Sequence, residues 1–222
     1  MELVRNAGLE VAALSLFNKF TEPDLLEEEI EDASEYIRFA PDFGTKIVKL
    51  TPGRPASADA KKTHWNTLTK AIEALLPGAE KSDVKLAFET HMHQLTDTTK
   101  SSKQLLGLVD SDRVGLTVDF TNLVSVGDDP LKAITAFGDK LFHVHVKNAT
   151  KDGNGALRYG SLGEGITDWP KIIGKLKKAG YEGFLSIECL QAKSQTQPGE
   201  IARRDLDTLW RMLSDAGLDP EE

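Results

Sequence analysis

Apolar residues fall along this chain in short unbroken runs that alternate with longer stretches of helical period. Four of the short runs stop at a residue able to hold a cation or a proton. Val114-Gly-Leu-Thr-Val reaches Asp119, Val84-Lys-Leu-Ala-Phe reaches Glu89, Leu141-Phe-His-Val reaches His145, and Gly183-Phe-Leu-Ser-Ile reaches Glu188. A run that is apolar at successive positions reads as a strand buried on both faces, and the C-terminal end of a parallel strand is where a functional side chain is delivered. Two further strands are predicted, from Leu9 to Phe17 and from Lys46 to Leu50.

The helical stretches have starts and stops of their own. Thr21-Glu-Pro-Asp opens one that runs to Phe39, with Thr21 as N-cap, Pro23 in the first turn and a carboxylate-rich solvent face. Ser57 opens a second that runs to Leu76 and is stopped by Pro77-Gly78. Helices follow from Asp97 to Val109, from Pro130 to Phe137, from Thr167-Asp-Trp-Pro to Ala179 and from Glu200 to Ala216, while Asn148 to Gly165 reads as a long glycine-rich loop. Asn6-Ala-Gly8 has the form of a helix end, so the chain is expected to start mid-element.

Strands that alternate with helices and are apolar on both faces call for a parallel sheet covered by helices. In an open doubly wound sheet the functional groups gather at one switch point. Here successive strands each end in a ligand-type residue, which favours the mouth of a (β/α)8 TIM barrel. The 222 residues carry no break in composition, and we expect a single domain over 1–222. Net charge is -8, with Lys and Arg scattered among Asp and Glu, so no nucleic-acid partner is expected. The single cysteine, Cys189, and the lack of a leader or a membrane-length apolar run give a cytoplasmic expectation, with no membrane partner.

Three carboxylates and one imidazole suit one divalent metal ion, Mn, Mg, Co or Zn, bound by Glu89, Asp119, His145 and Glu188. Glu89 and Glu188 would then face a substrate as base and acid, with the metal polarising a carbonyl. Any one of these residues can equally be a helix cap. Alternation places His143, His145 and Lys147 on one side of their strand, and Glu89 and His91 on one side of theirs. Cys189 reads as core packing.

Leu-Ala-Phe-Glu89-Thr-His91, Gly-Leu-Thr-Val-Asp119-Phe-Thr-Asn122, Phe-His-Val-His145-Val-Lys147, Gly163-Glu-Gly165-Ile-Thr-Asp-Trp169 and Gly-Tyr-Glu-Gly-Phe-Leu-Ser-Ile-Glu188 stand in one order along the chain. This ordered set resembles the xylose-isomerase-like TIM-barrel superfamily of sugar phosphate isomerases and epimerases, from about Gly8 to Leu213. The resemblance implies that Glu89, Asp119, His145 and Glu188 bind the metal and that Glu89 and Glu188 are the catalytic pair. It also implies substrate contacts from His91, Asn122, Lys147 and Arg158, and a loop-bracing role for Glu164. Arg54, Arg158 and Lys147 are candidates to hold a phosphate. Asn122 departs from the pattern, because many relatives have a histidine there. The chain also holds about six βα units of the eight in such a barrel. Missing strands would expose two sheet edges, for which a homodimer is the expected cover.

The expected activity is proton transfer next to a carbonyl of a small polyol, ketose or sugar phosphate, giving isomerisation or epimerisation. The alternatives are a related dehydratase acting on a cyclic polyol or keto acid, and an inactive barrel remnant that only binds metal or sugar. The resemblance extends to apurinic endonucleases through Ser161-Leu-Gly-Glu-Gly165. That reading fails on ligands, because Leu157, Tyr159 and Asn122 stand where a zinc cluster needs acids and histidines.

Overall fold

The computed structural model describes residues 2–191 and 195–218. Helix α1 (Glu2–Asn6) ends at Gly8, whose φ of +68° is the left-handed conformation of a helix stop. Strand β1 is only Leu14–Ser15, much shorter than the apolar run predicted it to be. It lies at the edge of the sheet and pairs on one side alone, Leu14 with Val48 and Ser15 with Lys49, so its ladder has little to extend it.

Helix α2 (Leu26–Phe39) is entered through a single 3-10 turn at Pro23–Leu25, and Thr21 does not cap it. Thr21 is instead buried two residues before the turn. The helix buries Ala33 and Ile37 and leaves most of its carboxylates in solvent. After β2 (Ile47–Leu50) comes α3 (Lys62–Lys81), which starts later than Ser57 and runs through Pro77. Proline removes one hydrogen bond from the helix ladder. The final turn survives because it is packed: Ala79 is fully buried, and Gly78 lies close to Ile37 of α2.

Strand β3 (Lys85–Glu89) leads to α4 (Thr99–Leu106), capped by Thr98, whose hydroxyl accepts from the Ser101 amide at 3.1 Å. Strand β4 (Val114–Asp119) is buried at every position and passes directly into α5 (Phe120–Ser125), a helix the hydrophobic pattern did not reveal. Next come α6 (Pro130–Phe137) and β5 (Leu141–Val146). The predicted glycine-rich loop contains an antiparallel hairpin, β6 (Ala149–Lys151) with β7 (Leu157–Tyr159). Helix α7 (Trp169–Lys178), strand β8 (Leu185–Ile187) and helix α8 (Pro198–Asp215) complete the chain.

The main sheet is six-stranded, with the order β1-β2-β3-β4-β5-β8 and parallel pairing of β1 with β2, β2 with β3, β3 with β4 and β5 with β8. The chain divides into two compact units, Met1–Val118 with Asp139–His143, and Asp119–Gly138 with Val144–Glu222. The first unit centres on Val48, Leu50, Leu86, Phe88, Leu116 and the buried face of α3. The second centres on Phe120, Trp169, Ile172 and Ile173, with the Phe120 and Trp169 rings edge to face at 6.1 Å. Among the described residues no helix is long and apolar enough to cross a membrane.

Gly115 in β4 has no room for a side chain, since a Cβ there would stand 2.3 Å from the Phe142 ring and 2.6 Å from the Lys140 carbonyl oxygen. Gly115→Ala is expected to cost about 3 kcal/mol of stability through overpacking, read as a lowered urea midpoint. Phe142→Leu in the same chain should recover part of the loss.

Asp83 links Lys46 and Arg113, each at 2.6 Å. Hydrogen bonds from those two cations hold its carboxyl down at about 2, against an ordinary value of 3.8. A depressed folded-state pKa contributes stability above the unfolded value, and that contribution is lost as pH falls through the folded one. Wild type should therefore be more stable than Asp83→Asn at pH 6, by a small margin because the group is exposed, and the margin should vanish between about pH 4 and pH 2. Urea midpoints at the two ends of that window test it; a constant margin would contradict it.

Candidate metal centre

Asp119 closes β4 and opens α5, and its two oxygens divide the work. Oδ1 accepts the Asn122 backbone N–H at 2.9 Å, which caps the helix, while Oδ2 lies 2.5 Å from Lys147 Nζ. The cap uses Oδ1 alone and leaves Oδ2 to the ammonium. Lys147 also donates to Glu188 Oε2 at 2.9 Å, and Glu188 Oε1 stands 3.2 Å from His145 Nδ1. Asp119, Lys147 and His145 are buried, whereas the Glu188 side chain keeps 24% of its surface exposed.

Burial works against the Lys147 ammonium, but the Asp119 and Glu188 carboxylates outweigh it and raise its pKa above the ordinary lysine value. Glu188 is the mirror case. Burial alone would raise its pKa, yet the hydrogen bond from His145 and the charge of Lys147 hold it well below the usual carboxylate range.

The backbone at Lys147 is anchored separately. Its carbonyl accepts the Thr121 hydroxyl at 2.6 Å and the Trp169 indole N–H at 2.8 Å. Thr121 also shares a 2.9 Å hydrogen bond with Thr167, and Tyr159 of β7 lies with its ring centroid 5.5 Å from the Lys147 ammonium. Asn148 fixes the next step of the chain by donating to the carbonyls of Leu162 and Thr167, both at 3.0 Å. Gly165 is required here, because a Cβ would fall 2.2 Å from the Asn148 side-chain oxygen.

In the first unit Glu89 ends β3, 1% exposed, and its Oε2 lies 2.5 Å from Lys49 Nζ. Lys49 is fully buried, donates to the Leu16 carbonyl at 3.3 Å and sits 3.8 Å from the centroid of the Phe17 ring. The hydrophobic pattern did not single out Lys49. The signal was there, in a lysine inside the apolar run Ile47-Val-Lys-Leu50, where a charge needs a partner.

Within the second unit Asp119, His145 and Glu188 each offer one ligand atom, and these atoms lie within 4.8 Å of one another. Carboxylate oxygens with one imidazole are the donor set of a hard or borderline divalent cation. The fit is chemical as well, since the Lys147 ammonium and His145 beside Glu188 hold that carboxylate in the ionised form a metal requires.

None of the other expected site residues is one of the candidate ligands. Asn122 is buried in α5 and gives its backbone N–H to Asp119. His91 is half-buried, with Nδ1 2.9 Å from the Met92 carbonyl oxygen. Arg158 lies on the hairpin, paired with Asp152 at 3.4 Å, and Arg54 and Glu164 are exposed. Cys189 corrects an expectation: it is partly exposed rather than core, because it lies just past β8, the edge strand of the sheet. Burial, then the charge of Asp205, pushes its thiol pKa up.

The profile of the Xylose isomerase-like TIM barrel matches residues 2–212. The chain belongs to that family. Among curated relatives, the Rhizopine catabolism protein MocC of Rhizobium meliloti is 29% identical over 168 residues, covering 69% of this chain and 51% of that protein. The chain thus spans about half the length of this relative. An inosose dehydratase of Bacillus thuringiensis is 23% identical over 224 residues, covering 88% of this chain and 74% of that enzyme.

Solved structures agree on the fold. The probable 3-DHS dehydratase AsbF of Bacillus anthracis superposes with a TM-score of 0.81 at 22% identity, over 94% of this chain and 79% of that one. An L-ribulose 3-epimerase gives 0.80 at 20% identity, over 97% and 78%. The IOLI protein, solved with a zinc atom, gives 0.82 at 20% identity, over 97% and 81%.

If the cluster holds a divalent cation, Mn²⁺ should raise the thermal unfolding midpoint of the dialysed protein in proportion to the logarithm of its concentration. His145→Ala removes the imidazole donor and is expected to weaken binding by at least about tenfold, with the fold retained. Calorimetric titration of both proteins checks this, and equal affinities would remove His145 from the site.

Proposed function

We propose that this chain is a metal-dependent lyase, removing water from a β-hydroxy ketone of a cyclic polyol or keto acid. The observation that supports it is that each candidate catalytic glutamate faces a buried ammonium, Glu89 with Lys49 and Glu188 with Lys147. Epimerisation by two glutamates needs one to give a proton while the other takes one. At Glu188 the His145 hydrogen bond and the Lys147 ammonium favour the ionised form, which suits a base and disfavours an acid. A carboxylate base beside an ammonium donor is instead the pairing that elimination of a hydroxyl requires. Similarity to an inosose dehydratase and to a probable 3-DHS dehydratase points the same way.

A divalent cation held by Glu89, Asp119, His145 and Glu188 would stabilise negative charge on the substrate carbonyl oxygen. Glu188, the accessible carboxylate, takes the proton from the carbon next to that carbonyl, and the electron pair moves onto the oxygen. The enolate then collapses, the bond to the β-hydroxyl breaks, and Lys147 gives its proton so that water leaves. Lys147 is left neutral and Glu188 protonated. Their 2.9 Å hydrogen bond returns the proton and resets the pair. Asp119 keeps Lys147 in place throughout, and the anchored carbonyl keeps its strand end from shifting.

Epimerisation stays the second reading, because an L-ribulose 3-epimerase shares the fold and the first half of the chemistry is common to both. The test is incubation with Mn²⁺ and inosose, dehydroshikimate or a set of ketoses in D₂O, followed by NMR. The expected result is water loss with an enone product. Glu188→Gln should lower the rate by about 10²–10⁴-fold and Lys147→Met should keep deuterium exchange while losing elimination. Exchange with inversion and no water loss would establish the epimerase instead.

A further inference from the structure

Outside the metal centre the second unit contains a buried charged knot that neither the ligand set nor the proposed chemistry uses. Asp205, 2% exposed, projects from the middle of α8. Its Oδ2 accepts from Gln191 Nε2 at 2.6 Å. Its Oδ1 accepts from Arg204 at 2.9 and 3.1 Å and from the Leu162 backbone N–H at 3.3 Å. Arg204 closes the knot by donating to the Gln191 side-chain oxygen at 2.5 Å. A buried carboxylate is costly for stability unless fully paired, and an apolar residue would serve α8 packing as well. What the charge does that an apolar residue cannot is hold two loops at once.

Those two loops lead straight to the working groups. Gln191 lies three residues past Glu188, in a segment whose start is fixed by the Glu188 amide donating to the Val146 carbonyl at 2.9 Å. Leu162 donates its N–H to Asp205, its carbonyl accepts from Asn148 Nδ2, and Asn148 directly follows Lys147. Asp205 therefore ties the chain carrying Glu188 to the chain carrying Lys147, and the two meet at 2.9 Å.

We infer that Asp205, with Gln191 and Arg204, is a positioning clamp that sets the Lys147–Glu188 pair. It is not a catalytic residue, since it acts through the two loops. The inference rests on the reading of Glu188 as a metal ligand and base, and its test separates the two. Asp205→Ala and Asp205→Asn are compared with the swapped pair Asp205→Asn/Gln191→Glu, which restores a donor on one side and an acceptor on the other. Two measurements are made on folded protein. One is the Mn²⁺ dissociation constant. The other, without metal, is the acetylation rate of Lys147, with buried Lys49 of the first unit as internal control for general loosening.

Asp205→Ala is expected to weaken Mn²⁺ binding by about tenfold or more, and to raise Lys147 labelling several-fold while Lys49 labelling stays at its wild-type rate. The swapped pair should return both towards wild type. Unchanged Lys147 labelling, or an equal rise at Lys49, overturns the clamp. If wild type binds no Mn²⁺ the metal reading fails, and the labelling of Lys147 still decides the clamp by itself.

Discussion

The second unit depends on one ammonium shared between two carboxylates. Lys147 is 5% exposed and bonds Asp119 at 2.5 Å and Glu188 at 2.9 Å. Removing the lysine from such a group would leave paired negative charges without compensation, a cost of about 3–5 kcal/mol for buried pairs. Ion pairing of this kind is a poor means to stability, because apolar residues of like volume do as well. The pattern makes sense as an arrangement kept for what ionised carboxylates can do. Around it the backbone is held by bonds that do not involve the charges at all: the Thr121 hydroxyl and the Trp169 indole on the Lys147 carbonyl, and Asn148 on Leu162 and Thr167.

The same device recurs in the first unit, where Lys49 answers Glu89 at the end of the neighbouring strand. In β2 the register pairs Lys49 with Ala87 and Leu50 with Phe88, so Lys49 lies two residues short of the level of Glu89 and its long side chain reaches the carboxylate. A lysine stem is suited to this, since its methylenes pack among apolar neighbours while the ammonium reaches the charge. Phe17 lies over that ammonium at 3.8 Å, an attractive contact that adds no second negative charge.

How far the sequence disclosed this follows from what each residue needs. The ends of β3 and β4 were legible because a parallel strand buried on both faces must be apolar at successive positions, so the carboxylate that breaks the run marks its end, whereas β5 runs one residue past His145. Pro130 to Phe137 was legible to the residue because Asp129, Pro130 and Gly138 punctuate it. Helix α5 was hidden, because Phe120-Thr-Asn-Leu-Val-Ser is too short to show a period and follows an apolar strand without a break. The hairpin after Asn148 was masked by its glycines. Its turn is made by Asp152, whose Oδ1 accepts from the amides of Asn154 and Ala156. Pro77 misled because a stop signal is local, whereas the burial that carries α3 past it comes from α2.

Lys49 shows why partners are harder to read than ligands. Nothing near it in sequence is acidic enough to explain a buried lysine, and its carboxylate lies forty residues on. The converse holds for Asp119, whose local role as cap of α5 is complete in itself and yet uses only one oxygen. A carboxylate that satisfies its own helix with one oxygen still has the other to give, and here that second oxygen reaches an ammonium already bonded to Glu188. The cap therefore does part of the site's work: by fixing Oδ1 to the start of α5, it fixes where Oδ2 points, and with it the place of Lys147.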